Sequence, residues 1–138
     1  LAARIIRHEG LRLKPYRDPV GKMTIGVGRN LDDRGITEGE ARLLLDNDLN
    51  LAAAELDQHV QYWRNLAEAR REVLMEMLFN MGWPRLSAFH LMFTSIEAGR
   101  WDDAASEMMN SKWARQVGGR AATLADAMRK AQFREMET

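Results

Sequence analysis

Apolar residues recur at helical spacing from the start of the chain. In LAARIIRHEG the positions Ala2, Ile5 and Ile6 form one stripe, and Gly10 stands where a left-handed cap would end the helix. This predicts a short amphipathic helix that closes on Glu9. By the i, i+4 rule Glu9 shares the stripe of Ile5, which sets a carboxylate against the apolar face. From Leu11 to Gly28 the period changes. Asp18, Pro19 and Gly21 supply turn chemistry and MTIGV supplies alternating, β-branched residues, so the segment reads as a small β-hairpin. Gly26 and Gly28 lack side chains that a strand would pack. They mark either a bulge or the close approach of a ligand or another backbone.

Helical periodicity returns at Thr37, which with Glu40 makes a capping box ahead of Ala41, Leu44, Leu45, Leu49, Ala52 and Leu56. That helix is expected to run about six turns. A second, from about Ala67 to Met81, carries Val73, Leu74, Met77 and Leu78 and stops at Gly82, with Pro84 just beyond. It is apolar enough to be a central core helix. Ser87 is expected to cap a third helix ending at Gly99, Asp102 a fourth through Met109, and a last helix follows Gly118 and Gly119. The pattern predicts an α+β, mostly helical fold of two lobes. One is a small helix-plus-hairpin lobe (about 10–58) and the other a larger helical lobe (about 59–138, joined by the N-terminal helix), together one domain with a cleft where ligands would bind.

Composition narrows the class of function. The 138 residues are 46% hydrophobic and 29% charged, enough for one packed core. Lys plus Arg equals Asp plus Glu at 20 each, and the stretches before and after His59 are each close to neutral. That balance argues against a nucleic-acid binder, which needs a basic face to displace counterions. It also gives no strong pull toward anionic membranes, and no apolar run approaches the ~20 residues that span a bilayer, so no stable membrane insertion is expected. The absence of cysteine excludes disulfides, thiolate metal sites and cysteine nucleophiles. His8, His59 and His90 are scattered, and His8-Glu9-Gly10 lacks the second histidine of a zinc-protease motif, so no metal is expected. The nine methionines read as core filler, and Trp63, Trp83, Trp101 and Trp113 mostly as core or lobe-interface residues.

Glu9 and Asp18 are the residues that draw attention as chemistry. Cleaving a glycosidic bond requires a protonated acid for the leaving oxygen and a second carboxylate to activate water or attack the sugar. A helix-end glutamate on an apolar stripe should have its pKa raised by desolvation, while an aspartate in a polar turn should stay ionised. Taken alone, the spacing is equally satisfied by a turn aspartate before Pro19 and by a Glu9 that pairs with Arg4 or Arg12.

The string around these residues carries more information. HEGLRLKPYRDPVGKMTIGVGRN closely resembles the signature of the phage-type lysozymes, glycoside hydrolase family 24, which includes prophage endolysins. It has Glu-Gly-Leu-Arg-Leu, a tyrosine, an aspartate, a glycine turn and Thr-Ile-Gly-hydrophobic-Gly in the family's order. LFNMG looks like the family's helix end at the cleft, and GRWDDAA and SKWARQ also match family positions. The resemblance implies a muramidase that cuts the β-1,4 bond between N-acetylmuramic acid and N-acetylglucosamine, with inversion. Glu9 would be the general acid, and Asp18 and Thr24 would position the water. Gly28 and Asn30 match the hairpin lip that contacts saccharide, and Phe79, Asn80 and Arg120 match cleft or supporting positions. The bare pattern assigns Phe79 to the core and Arg120 to a solvated charge or a partner of Glu9.

Two departures qualify the likeness. Arg29 stands where T-even relatives carry histidine, so a histidine–carboxylate pair is not available. The connection NLDDRG is also short, which shrinks the lip. The resemblance implies no cofactor, a monomer, and bacterial peptidoglycan as partner. It further implies residence in the host cytoplasm until release to the wall, or export by a segment upstream of Leu1. A lytic transglycosylase, a non-catalytic wall-binding module and a helical DNA-binding domain are the rival readings.

Overall fold

The computed structural model describes residues 1–134. The fold is α+β and mostly helical, with one small antiparallel sheet. Two compact units are distinguished, Leu1–Leu45 and the described chain from Asp46 onward. The boundary lies within the long helix.

The first unit opens with α1 (Ala2–Glu9), terminated by Gly10 at φ 80° with its N–H on the Ile6 carbonyl. Then come β1 (Arg12–Arg17), β2 (Met23–Gly26) and β3 (Arg29–Asn30) in the order β1-β2-β3. The expected hairpin is therefore a three-stranded meander. Its third strand is only two residues long, too short for periodicity to reveal. The β1–β2 turn is built by Asp18. Its N–H reaches the Lys22 carbonyl at 2.8 Å, and its Oδ1 accepts from the N–H groups of Val20 and Lys22 at 3.0 and 2.8 Å. Next is a one-turn helix, α2 (Leu31–Arg34), which occupies the connection that the sequence left irregular.

The long helix α3 (Glu38–His59) begins at the expected capping box. The Thr37 N–H donates to Glu40 Oε1 at 2.9 Å and the Glu40 N–H to Thr37 Oγ1 at 3.1 Å. Its apolar stripe is buried unevenly: Ala52 and Leu56 enter the core, while Leu44 and Leu45 are 53% and 43% exposed.

The second unit contains the hydrophobic core. After a single 3-10 turn at Trp63–Asn65, α4 (Glu68–Met81) supplies Val73, Leu74, Met77, Leu78 and Met81, all buried. Helices α5 (Trp83–Leu86), α6 (His90–Glu97), α7 (Trp101–Met109), α8 (Lys112–Val117) and α9 (Gly119–Lys130) follow. α7 packs on α6 and α9, and α9 packs on α4. Met77, Met81, Met92, Met108 and Met128 are core filler as expected, since an unbranched thioether adapts to irregular gaps. Trp63 and Trp113 are buried, while Trp83 and Trp101 are half-buried. Arg70 caps the end of α9 by donating to the carbonyls of Met128 and Arg129, and its guanidinium lies 3.6 Å from the Trp101 ring centre.

Three cap assignments differ from expectation. Ser87 does not start α6. It closes α5, its hydroxyl donating to the Pro84 carbonyl, because Pro84 favours the first turn of a short helix rather than a simple break. Asp102 lies inside the first turn of α7, where its charge suits the helix N-terminus but caps no N–H. Helix α8 was not anticipated; Ser111 caps it, accepting from the Ala114 N–H at 3.1 Å.

Candidate active site

Glu9 sits where α1 ends, and its carboxylate rests on the turn between β2 and β3. A Cβ added to Gly28 would lie 3.0 Å from Glu9 Oε2 and 3.5 Å from its Cδ. Gly28 also has φ +68°, which disfavours any side chain. What approaches Gly28 is neither a ligand nor another backbone, as its lack of a side chain suggested, but the Glu9 side chain. Gly26 differs: it has a similar φ of +70° but open space where a Cβ would point.

The apolar burial expected around Glu9 is not found. Glu9 is exposed, α1 buries none of its residues, and Ile5 and Ile6 are each 42% exposed. An amphipathic stripe identifies which side of a helix is apolar, but not that the side is covered.

Thr24 is the one buried polar residue of the sheet, at 3% exposure, on the central strand opposite Tyr16 and Asn30. Its hydroxyl donates to the Lys22 carbonyl at 3.0 Å, which leaves its lone pairs as acceptors. Residues directly opposite in an antiparallel pair share a face, so Tyr16 and Thr24 do, and Asp18 follows β1 at the start of the turn. One Asp18 oxygen is engaged by the two turn N–H groups. The turn therefore fixes the carboxylate's orientation.

Asn30 has a structural task. It caps α2 by accepting from the Asp33 N–H at 3.0 Å, and its amide donates to Asp33 Oδ2 at 2.9 Å. Its side chain is thus held by α2. Periodicity also missed a set of ties that fasten this region. Met23 N–H donates to Asp32 Oδ2 at 2.8 Å, and Lys22 pairs with Asp33 at 3.1 Å. Arg29 donates to Glu40 Oε1 at 2.9 Å and to the Gly35 carbonyl at 3.3 Å. Arg29, noted as a departure, therefore makes its own carboxylate pair, joining the strand after Gly28 to the start of α3.

Glu40 receives both Arg29 and its capping bonds from Thr37, which hold its carboxyl down at about 2. A depressed folded-state pKa stabilises the fold above the unfolded value and is lost as pH falls through the folded one. The stability gap between the parent and Glu40→Gln is therefore expected to be widest at neutral pH and to close as pH drops from about 4.5 toward about 2, as melting temperatures across that range would show.

The remaining predicted residues belong to the second unit. Phe79 is 47% exposed, so it is not the core residue that the bare pattern suggested. It lines an open groove with Leu51, Ala52, Glu55 and Gln58 of α3 and Leu78 of α4. Asn80 Oδ1 accepts from the indole N–H of Trp113 at 2.8 Å. Arg120 donates to Glu76 Oε2 at 3.3 Å, a half-exposed pair. Glu76 and Asn80, one turn apart on α4, thus tie α4 to α9 and α8. Among the described residues, no cluster of three His, Asp or Glu is arranged to hold a metal ion.

Comparison with known proteins gives the family. The chain is 28% identical to probable T4-type lysozyme 1 of Dictyostelium discoideum, over 82% of this chain and 84% of that protein. It is 28% identical to an endolysin of Acyrthosiphon pisum secondary endosymbiont phage 1, over 93% and 87%. It is also 29% identical to the pre-baseplate central spike protein Gp5 of Enterobacteria phage T4, over 88% of this chain but only 26% of that longer protein. The phage lysozyme family model matches residues 6–132, which include Glu9, Asp18, Thr24 and Arg120. With nearly its whole length matched, the chain belongs to the phage lysozyme family of glycoside hydrolases.

Proposed function

We propose that this chain is a muramidase that hydrolyses the β-1,4 bond between N-acetylmuramic acid and N-acetylglucosamine in bacterial peptidoglycan, with inversion. Glu9 is the general acid, and Asp18 and Thr24 handle the water. The observation that carries this reading is the seat of the Glu9 carboxylate against Gly28, where even a Cβ would crowd the acid at 3.0 Å.

The chemistry follows from the groups present. Glu9 gives its carboxyl proton to the leaving oxygen of the scissile bond. Asp18 accepts a proton from the attacking water through the oxygen that the turn leaves free, while the Thr24 lone pairs receive the water's other hydrogen. The Asp18 turn costs no reorganisation when the water arrives, because its backbone bonds already fix the carboxylate. Inversion requires a separation of ~6.5–9.5 Å between acid and base, room enough for one water. Gly28 and Asn30 contribute the lip, and Phe79, Asn80 and Arg120 contribute glycan contacts or support. No cofactor takes part. The protein acts as a monomer on the cell wall, after release from the host cytoplasm or export.

Digestion of purified peptidoglycan, with products reduced and identified by mass, tests the reaction. Muramic-acid reducing ends are expected. Anhydro ends would mean a lytic transglycosylase, and wall binding without release of products would mean a binding module.

A further inference from the structure

Overall neutrality conceals a segregation of charge within the first 59 residues. Residues 1–29 carry seven Lys and Arg against Glu9 and Asp18, whereas residues 30–59 carry eight Asp and Glu against Arg34 and Arg42. The two sets are only partly joined, through Lys22–Asp33 and Arg29–Glu40. Among the described residues, no carboxylate lies within ion-pair distance of Arg4, Arg7, Arg12, Lys14 or Arg17, and all five are exposed.

Large apolar side chains stand among these cations. Leu11, Leu13 and Val20 are 59%, 82% and 79% exposed, on or beside β1 and the turn that follows it. β1 is an edge strand, and edges are commonly guarded against pairing with other chains by lysine and proline. That accounts for Lys14 and Pro15, but not for Leu13 and Val20, which weaken the guard. A soluble polyanion would use the cations and leave the apolar groups in water. A lipid surface that meets the free edge of β1 reaches side chains of both faces: cations meet headgroup phosphates and apolar tips enter the boundary with the acyl chains. No helix among the described residues is long and apolar enough to cross a membrane, so the contact is interfacial.

We propose that β1 and its following turn dock this chain on a bilayer rich in anionic phospholipid. The inference is independent of the role given to Glu9. The full chain is sedimented with phosphatidylcholine vesicles, with or without phosphatidylglycerol, at about 0.15 M salt. Binding is expected only to the vesicles containing phosphatidylglycerol. Each cation near such a surface is worth about fivefold in partition, so Arg12→Gln with Lys14→Gln should weaken binding about 25-fold. Leu13→Ser with Val20→Ser should weaken it as well, and Arg34→Gln with Arg42→Gln should not. All six side chains are exposed, so each variant is expected to fold, and circular dichroism checks that. No preference for anionic vesicles would overturn the proposal, as would an equal loss in the Arg34/Arg42 variant. Insensitivity to the Leu13/Val20 change, with displacement by soluble polyphosphate, would reassign the face to a soluble polyanion.

Discussion

Glu9→Gln is expected to slow peptidoglycan clearing by roughly 10²-fold or more, the usual worth of a general acid. The amide keeps the size of the carboxyl and loses only the transferable proton. Glu9 is exposed, so melting should move by no more than about 0.5 kcal/mol of stability. Activity and fold are therefore separable in this variant. A similar loss in a variant that melts early would say nothing of chemistry, whereas full activity would remove Glu9 from the mechanism.

The second large effect is expected at Gly28, with Gly26 as its control. Both residues have positive φ, +68° and +70°, so alanine at either strains the backbone by about 1–2 kcal/mol. They differ in what the new methyl meets. At Gly28 it arrives 3.0 Å from Glu9 Oε2, and at Gly26 it meets nothing within 4 Å. At Gly28 the new methyl must move the carboxylate by a few tenths of an ångström, a shift that a positioned reacting group feels. The two variants should thus lose similar stability, measured by thermal melting. Only Gly28→Ala should lose activity at saturating peptidoglycan, by several-fold beyond what its stability explains. Equal activity in both would mean that the contact with Glu9 has no catalytic weight.

How far the sequence led depended on the kind of signal. Helices α3 and α4 were legible because each combines a long 3.6-residue period with a recognisable end, the Thr37/Glu40 box in one and Gly82 in the other. The cap of α8 at Ser111 was missed because six helical residues carry too little periodicity to stand out. Strand β3 and helix α2 escaped for the same reason; bonds from Asn30 and Asp32 to neighbouring backbone define that region more than its own pattern does. Within the site, the turn role of Asp18 could be read from Asp-Pro-Val-Gly, and the likeness to a known signature singled out Glu9 and Thr24. Two features could not be read. One is the exposure of Glu9, since amphipathicity does not say what covers the stripe. The other is the Arg29–Glu40 pair, since it joins residues that are separate signals along the chain.

The central claim, an inverting hydrolysis run by Glu9 with a water held by Asp18 and Thr24, is tested most directly by the anomeric form of the first product. Proton magnetic resonance during the first moments of digestion, before mutarotation, reads the new muramic-acid reducing end. The account predicts the α-anomer, formed by water entering on the face opposite the departing sugar. A β-anomer appearing first would contradict it, because retention requires a covalent or otherwise shielded intermediate and a different task for Asp18.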